Sequence, residues 1–385
     1  MTNDLHYLSA REAAAELNVS RATLYAYVSR GLVRSTPGAG RSRLYRADDV
    51  RRLRQRKSPG TGEHGSGEAA LPRLESAITL IRDDRLFFRG RDAAALARNT
   101  SLESLASLLW ARDSATRFPA VGQPAAAPPF SANRAIALLA EAGDDDTRGW
   151  NLSNAGVAAT GARIVALIAH AFGAAPDDRP LHERLAAGWQ RPAVAEFLRA
   201  ALVLVADHEF NASTFAVRVA AGTRANPYAA TIAGLATLQG PRHGGLSARV
   251  AVLRTEIARE GDIAAAIAAR LRRGEDIPGF GHPLYPGGDP RAQVLLDMLQ
   301  DEEAQAIARA VEDLAGQPAN VDFALDALRL AWDLPDEAAF ALFATGRALG
   351  WVAHAQEQYR LPNLIRPRAR YVGEAPQGDH GNRAG

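Results

Sequence analysis

The sequence predicts an all-α body preceded by a small basic module. Three observations carry that reading: apolar residues recur at helical spacing through most of the chain, strand signals are almost absent, and the positive charge gathers at one end. Of 45 basic residues only Lys57 is a lysine, so 44 are Arg. The first 57 residues hold 12 of these against 5 acidic residues, and the remainder is net acidic, 33 against 38. With 385 residues, 47% of them hydrophobic, the chain exceeds one compact core and two or three domains are expected.

The N-terminal module reads element by element. Ser9 and Glu12 have the spacing of a capping box and start a short helix that runs to about Leu17. Asn18, Val19 and Ser20 form a tight turn, Ser20 caps a second helix over 21–30, and Gly31 stops it. On this helix Leu24 and Val28 share one face, leaving Arg21, Thr23, Tyr25 and Arg30 for phosphates or base edges. Short extended pieces between Val33 and Arg46 enclose Pro37, Gly38 and Gly40, and a basic helix is expected over 47–57. This order resembles the winged helix-turn-helix of the MerR and excisionase kind. The resemblance implies binding to double-stranded DNA, with Arg34, Arg41, Arg43 and Arg46 near the wing supplying backbone affinity.

Residues 58–72, SPGTGEHGSGEAALP, lack a hydrophobic period and read as a flexible linker. Beyond it, helical patterns are expected over 74–82, 102–112, 133–142, 157–172, 193–207, 227–238, 248–260 and 291–314, with a Pro-rich loop over 118–130.

Composition narrows the chemistry. Zero cysteines exclude thiolate nucleophiles, disulfides and cysteine-held metal, and a body without lysine excludes Schiff bases and a Walker lysine. Anions held by this chain are held by Arg, whose planar fork suits carboxylates and phosphates. No HExxH-type spacing points to a metal, so none is expected. The segment Gly279-Phe-Gly281 is not a dinucleotide fingerprint, because Leu284 stands where a third Gly belongs. Three segments place an imidazole among small or turn-forming residues: 206–214 with His208, 240–245 with His243, and 279–291 with His282. A ring in such a setting can donate a hydrogen bond or shuttle a proton.

These segments, followed in order by Asn320-Val-Asp322 and by Ala344-Thr-Gly-Arg347 to His354, resemble citrate synthase. The likeness extends through Ile365-Arg366-Pro-Arg368 and back to Phe88-Arg-Gly-Arg91, about 300 residues in all. It implies a helical homodimer with a large domain, here 73–245 and 341–375, and a small closing domain, 246–340, ahead of a disordered tail, 376–385. The implied reaction condenses acetyl-CoA with oxaloacetate and hydrolyses the citryl thioester to citrate and CoA. Asp322 would be the base, His243 the donor to the thioester oxygen and His282 the donor to the ketone. His208, Arg291, Arg347 and Arg366 would bind the oxaloacetate carboxylates, with Arg366 supplied by the partner subunit. No cofactor is expected beyond the CoA thioester substrate. Arg368 and His354 read as structural.

Two departures bear on substrate. Leu246-Ser247 follows His243-Gly-Gly where the family has Ala-Asn, and the uncharged 283–288 stretch replaces a basic residue, which implies either weaker CoA-phosphate binding or binding by other Arg such as Arg242 and Arg249. Propionyl-CoA, giving 2-methylcitrate, stays open, as does a transcriptional regulator whose synthase-like body senses a ligand. The N-terminus carries no signal-length apolar run and no stretch of ~18 apolar residues occurs, so a cytoplasmic protein without membrane contact is expected.

Overall fold

The computed structural model of the chain describes residues 7–16, 19, 21–29, 33–37, 43–47, 49–50, 74–122, 130–367, 369 and 371–373. It divides into two compact units, Met1–Pro72 and Arg73–Gly385. In the first, strand Tyr7–Ser9 leads into helix Ala10–Glu16, and helix Arg21–Ser29 precedes strands Ser35–Pro37 and Arg43–Arg46. The last strand is central in a three-stranded antiparallel sheet, with Leu8 opposite Tyr45 and Thr36 opposite Leu44. The capping box forms as spaced: Ser9 N–H donates to Glu12 Oε2 at 2.8 Å and Glu12 N–H to Ser9 Oγ at 3.3 Å. Val19 N–H closes the turn on Ala14 O. Leu24, Val33, Tyr45 and Val50 are buried together, with Val28 packed against them, so the expected inner face of the second helix is the one that is used. Of the expected basic helix only Ala47, Asp49 and Val50 are described as helical; the rest, with the 58–72 linker and the 376–385 tail, lies outside the described residues.

The second unit is helical, with one departure at its start. The segment expected as a helix over 74–82 instead forms the first strand of an antiparallel meander, Thr79–Arg82, Arg85–Phe88 and Arg91–Asp92. The cause is local. Asp83 and Asp84 both take positive φ, 52° and 54°, making the two-residue turn whose twist matches paired strands. Ile78, Leu86 and Phe88 are thereby buried. The pattern expected as one helix over 291–314 breaks into Pro290–Leu299 and Glu302–Ala315, because Gln300 turns left-handed (φ 51°) and Asp301 caps the second helix through Ala304 N–H. The segment over 118–122 is loop as expected, and 123–129 lie outside the described residues.

Two apolar cores result. The larger joins the helices Asn154–Ala171, Ala195–Leu204 and Ala338–Tyr359 around Trp110 and Trp351. The smaller is built from Val250, Leu253, Ile267, Ile307, Val311 and Phe323. Among the described residues no helix is long and apolar enough to cross a membrane.

Candidate active site

Each histidine predicted from sequence sits at a point where the chain is forced to turn. His208 follows the Ala195–Leu204 helix, and Glu209 at φ 51° redirects the backbone so that Asn211 caps the helix Ala212–Gly222. His243 lies in the turn before the Leu246–Glu260 helix, its N–H bonded to Gly240 O at 2.8 Å. A Cβ on Gly244 would come within 2.8 Å of Leu238, which explains the glycine through packing rather than ligand access.

His282 and Asp322 are tied to each other by the backbone. Gly281 N–H donates to Pro318 O at 2.8 Å, Asn320 N–H to Gly279 O at 2.9 Å, and Asn320 Nδ2 to Gly281 O at 3.0 Å. Gly279 and Gly281 reach this pairing at φ 88° and 70°. Asn320 Oδ1 also accepts from Asp322 N–H at 3.0 Å, starting the Val321–Ala331 helix. The loop bearing one reactive ring is therefore stapled to the helix start bearing the acid.

The predicted groups converge. The rings of His208 and His282 meet edge-on with centroids 5.1 Å apart, and Tyr285 packs against both. The Tyr285 hydroxyl lies 2.9 Å from His208 Nε2. Burial first, and then the charges of Arg291 and Arg347, hold the His208 ring well below the usual imidazole range. His243 and His282 are each held down at about 4, by burial first and then by Arg347 and Arg291 respectively. All three rings are neutral at pH 7, so any proton they share is donated from N–H rather than from imidazolium.

Tautomers follow from the neighbours. Leu284 N–H donates to His282 Nδ1 at 3.1 Å, which makes Nε2 the ring's N–H. Ser213 Oγ lies 2.8 Å from His243 Nε2 and donates to Asn211 Oδ1 at 2.8 Å. One hydroxyl proton cannot serve both. When it turns to His243 Nε2, the ring proton stays on Nδ1.

Asp322 is the one carboxyl of the site left unpaired. Its Oδ1 is buried without a hydrogen-bond partner, and burial, reinforced by Asp289, pushes its pKa up to about 6 against the opposing pull of Arg291 and Arg347. Both of these Arg are buried. Arg291 spends Nε and Nη2 on a bidentate pair with Asp289, at 2.9 and 2.8 Å, leaving Nη1 uncommitted to it. Arg347 donates Nε to Val205 O at 2.9 Å, lies over the Phe343 ring, and keeps Nη2 buried without a partner. Burial, with the neighbouring Arg291, lowers its pKa to about 10 against the opposing charges of Asp207 and Asp322. Such a site takes an anion.

Arg366, predicted to act from a partner subunit, is exposed beyond the Ala338–Tyr359 helix. Arg242 is exposed, and Arg249 lies 3.9 Å from Asp276. His354, read as structural, is buried with Nε2 3.2 Å from Asp207 Oδ2, which also accepts from Thr79 Oγ1 at 2.5 Å. Sequence reasoning missed Ser213, Tyr285, Asp289 and Asn320, although each lies inside or beside a quoted His or Asp segment. Among the described residues no group of three His, Asp or Glu gathers as a metal site.

In the N-terminal unit Tyr25 and Arg43 are exposed, while Thr23 and Arg46 are half-buried. Arg30, Arg41 and the side chain of Arg21 lie outside the described residues. Arg34, expected on the DNA backbone, is exposed and pairs through Nε and Nη2 with Asp49 at 2.8 and 2.9 Å. That pair ties the wing to the following helix and holds Asp49 at about 2.

Residues 120–368 match the family of the citrate synthase C-terminal domain. The chain belongs to the citrate synthase family. Residues 7–58 match a helix-turn-helix domain. Citrate synthase 2 of Bacillus subtilis is 36% identical over 197 residues, 48% of this chain and 53% of the relative. The Haloferax volcanii citrate synthase is 38% identical over 193 residues, 47% and 51% of the two chains. The chain thus spans about half the length of the curated relatives it matches. The crystal structure of citrate synthase from Thermotoga maritima superposes with a TM-score of 0.66 at 24% identity, covering 80% of this chain and 96% of that one, and shares the citrate synthase fold.

Proposed function

We propose that the Arg73–Gly385 unit condenses an acyl-CoA with oxaloacetate and hydrolyses the resulting thioester, as a citrate synthase does. The observation that supports this best is the pairing of an unpartnered carboxyl poised at about 6 with two neutral imidazoles and an under-compensated buried Arg. Asp322 removes a proton from the α-carbon while His243 donates to the thioester oxygen, so that a neutral enol forms instead of an enolate. His282, with its proton on Nε2, donates to the oxaloacetate ketone as the enol carbon attacks it. Arg347, Arg291 and His208 hold the carboxylates, and Arg366 of a second subunit completes their binding in a homodimer. Residues 246–340 close over 73–245 and 341–375, keeping water from the acyl thioester until the carbon–carbon bond exists.

Oxaloacetate-dependent thiol release, followed across acetyl-, propionyl- and butyryl-CoA, tests the reading and the acyl choice together. Acetyl-CoA or propionyl-CoA is expected to turn over. Tight binding of both ligands without thiol release would instead support a ligand sensor. The pH profile is a second check: Asp322 must be ionised, so kcat/KM rises with pH and levels above about 6, falling tenfold per unit below it. No basic limb from His243 or His282 is expected, since both are already neutral there.

For residues 1–57 the proposal is contact with double-stranded DNA. Binding is expected to weaken steeply with salt, and Arg43→Ala to reduce the log–log salt slope by about one. Salt-independent retention, or no retention, on a fragment of its own promoter region would reject that role.

A further inference from the structure

A cavity of about 700 Å³ lies beside the site and serves none of the steps above. Its size falls within the range of small-molecule sites, about 300–1,000 Å³. Three of its walls continue groups of the site. Gly244 follows His243 in the chain. Asp326 stands one turn beyond Asp322 on the same face of the Val321–Ala331 helix, and Phe340 stands one turn before Phe343, whose ring meets that of His243 with centroids 6.2 Å apart. Ala251, on the Leu246–Glu260 helix, leaves the space between them open.

The far wall is polar and incompletely satisfied. Arg254 is 8% exposed and donates Nη2 to Glu303 Oε2 at 3.0 Å, while its Nε lies 4.0 Å from Asp326 Oδ2. Its Nη1 is buried without a partner. Asp326 accepts from Arg329 through Oδ1 at 3.0 Å, and its Oδ2 is buried without a hydrogen-bond partner. The charges already cancel in pairs, and Asp336 and Glu337 add negative charge to the lining. What the wall lacks is an uncharged group that accepts from Arg254 Nη1 and donates to Asp326 Oδ2, as a hydroxyl does; a carboxylate would meet the acidic excess.

Resting on the condensation reading, we propose that this cavity receives the acyl chain of a thioester longer than acetyl, ending in a hydroxyl that accepts from Arg254 Nη1 and donates to Asp326 Oδ2. A chain carried on the carbon that Asp322 deprotonates passes Asp326 after about 6 Å along the helix axis. A six-carbon acyl group covers that distance. The bonds made and broken are those of the parent reaction. The α-proton goes to Asp322, the α-carbon bonds to the ketone carbon of oxaloacetate, and the ketone oxygen takes a proton from His282. Water then cleaves the carbon–sulfur bond, giving the free acid and the CoA thiol.

Oxaloacetate-dependent thiol release is to be compared for acetyl-, hexanoyl- and 6-hydroxyhexanoyl-CoA in the full-length chain, Ala251→Phe and Arg254→Met. The hydroxylated chain is expected to exceed hexanoyl at least tenfold in kcat/KM. Ala251→Phe is expected to lower its ratio to acetyl-CoA at least tenfold, Ala251→Val to do so partially should the larger side chain impair folding, and Arg254→Met to erase the hydroxyl preference. Turnover of acetyl-CoA alone, or a ratio indifferent to filling at Ala251, overturns the pocket and leaves the condensation intact. Failure of all three thioesters defeats the condensation reading itself.

Discussion

Asp322→Asn is expected to lower turnover by about 10²–10⁴-fold, the usual worth of a positioned base, while making the folded protein more stable. The second half follows from linkage. The carboxyl has a folded pKa of about 6 against an ordinary value of 3.8, so the folded state binds its proton more tightly than the unfolded chain does. Below about pH 4 both states are protonated and the group costs nothing. As pH rises through 4 to 6 the unfolded chain releases its proton first, and above 6 the full cost is present. Removing the charge at pH 7 therefore returns stability on the order of 1–3 kcal/mol. Thermal melts at pH 4 and pH 7 check it: the gain appears at the higher pH only. Oxaloacetate binding, measured separately, is expected to survive.

Arg347→Met is expected to weaken oxaloacetate binding by about 2–5 kcal/mol, because a carboxylate then enters a buried site without its charge partner. The effect falls on the KM for oxaloacetate rather than on that for the acyl-CoA. Arg347→Lys is expected to restore little of it. The guanidinium is held by Val205 O and the Phe343 face, and an ammonium on a flexible stem reproduces neither the fork nor the stacking. A KM for oxaloacetate that stays within threefold of wild type would remove Arg347 from the binding site.

Both substitutions concern residues named from sequence through the ordered motifs that resemble citrate synthase, and the segments that carry those motifs share a local feature. His243, His282 and Asp322 each lie in a short segment whose neighbours, Gly and Asn, are there to bend or staple the backbone, so the chemistry and its local geometry are written together. The amphipathic helices were legible from their periodicity, as at Leu102–Leu109 and Ala132–Asp145. The strand pair around Asp83 and Asp84 was not legible, because two left-handed aspartates decide it and the apolar spacing of 74–82 fits either period. Nor was the split at Gln300, where a cap overrides a continuous helical pattern. The supporting groups escaped for a different reason. Ser213 and Tyr285 acquire meaning only from the ring each faces, and Asp289 only from the guanidinium it neutralises. The Arg34–Asp49 pair was not legible either, because a basic residue beside a wing carries no sign of the aspartate, fifteen residues on, that it meets.

The proton abstraction proposed for Asp322 is testable apart from the rest of the reaction. In heavy water, with malate occupying the dicarboxylate site in place of oxaloacetate, no ketone is present to be attacked, and deuterium entering the methyl group of acetyl-CoA reports the base alone. Exchange is expected in the wild-type chain, increasing with pD through the region near 6 and absent in Asp322→Asn. Exchange at an undiminished rate in Asp322→Asn would contradict the assignment on which the condensation rests.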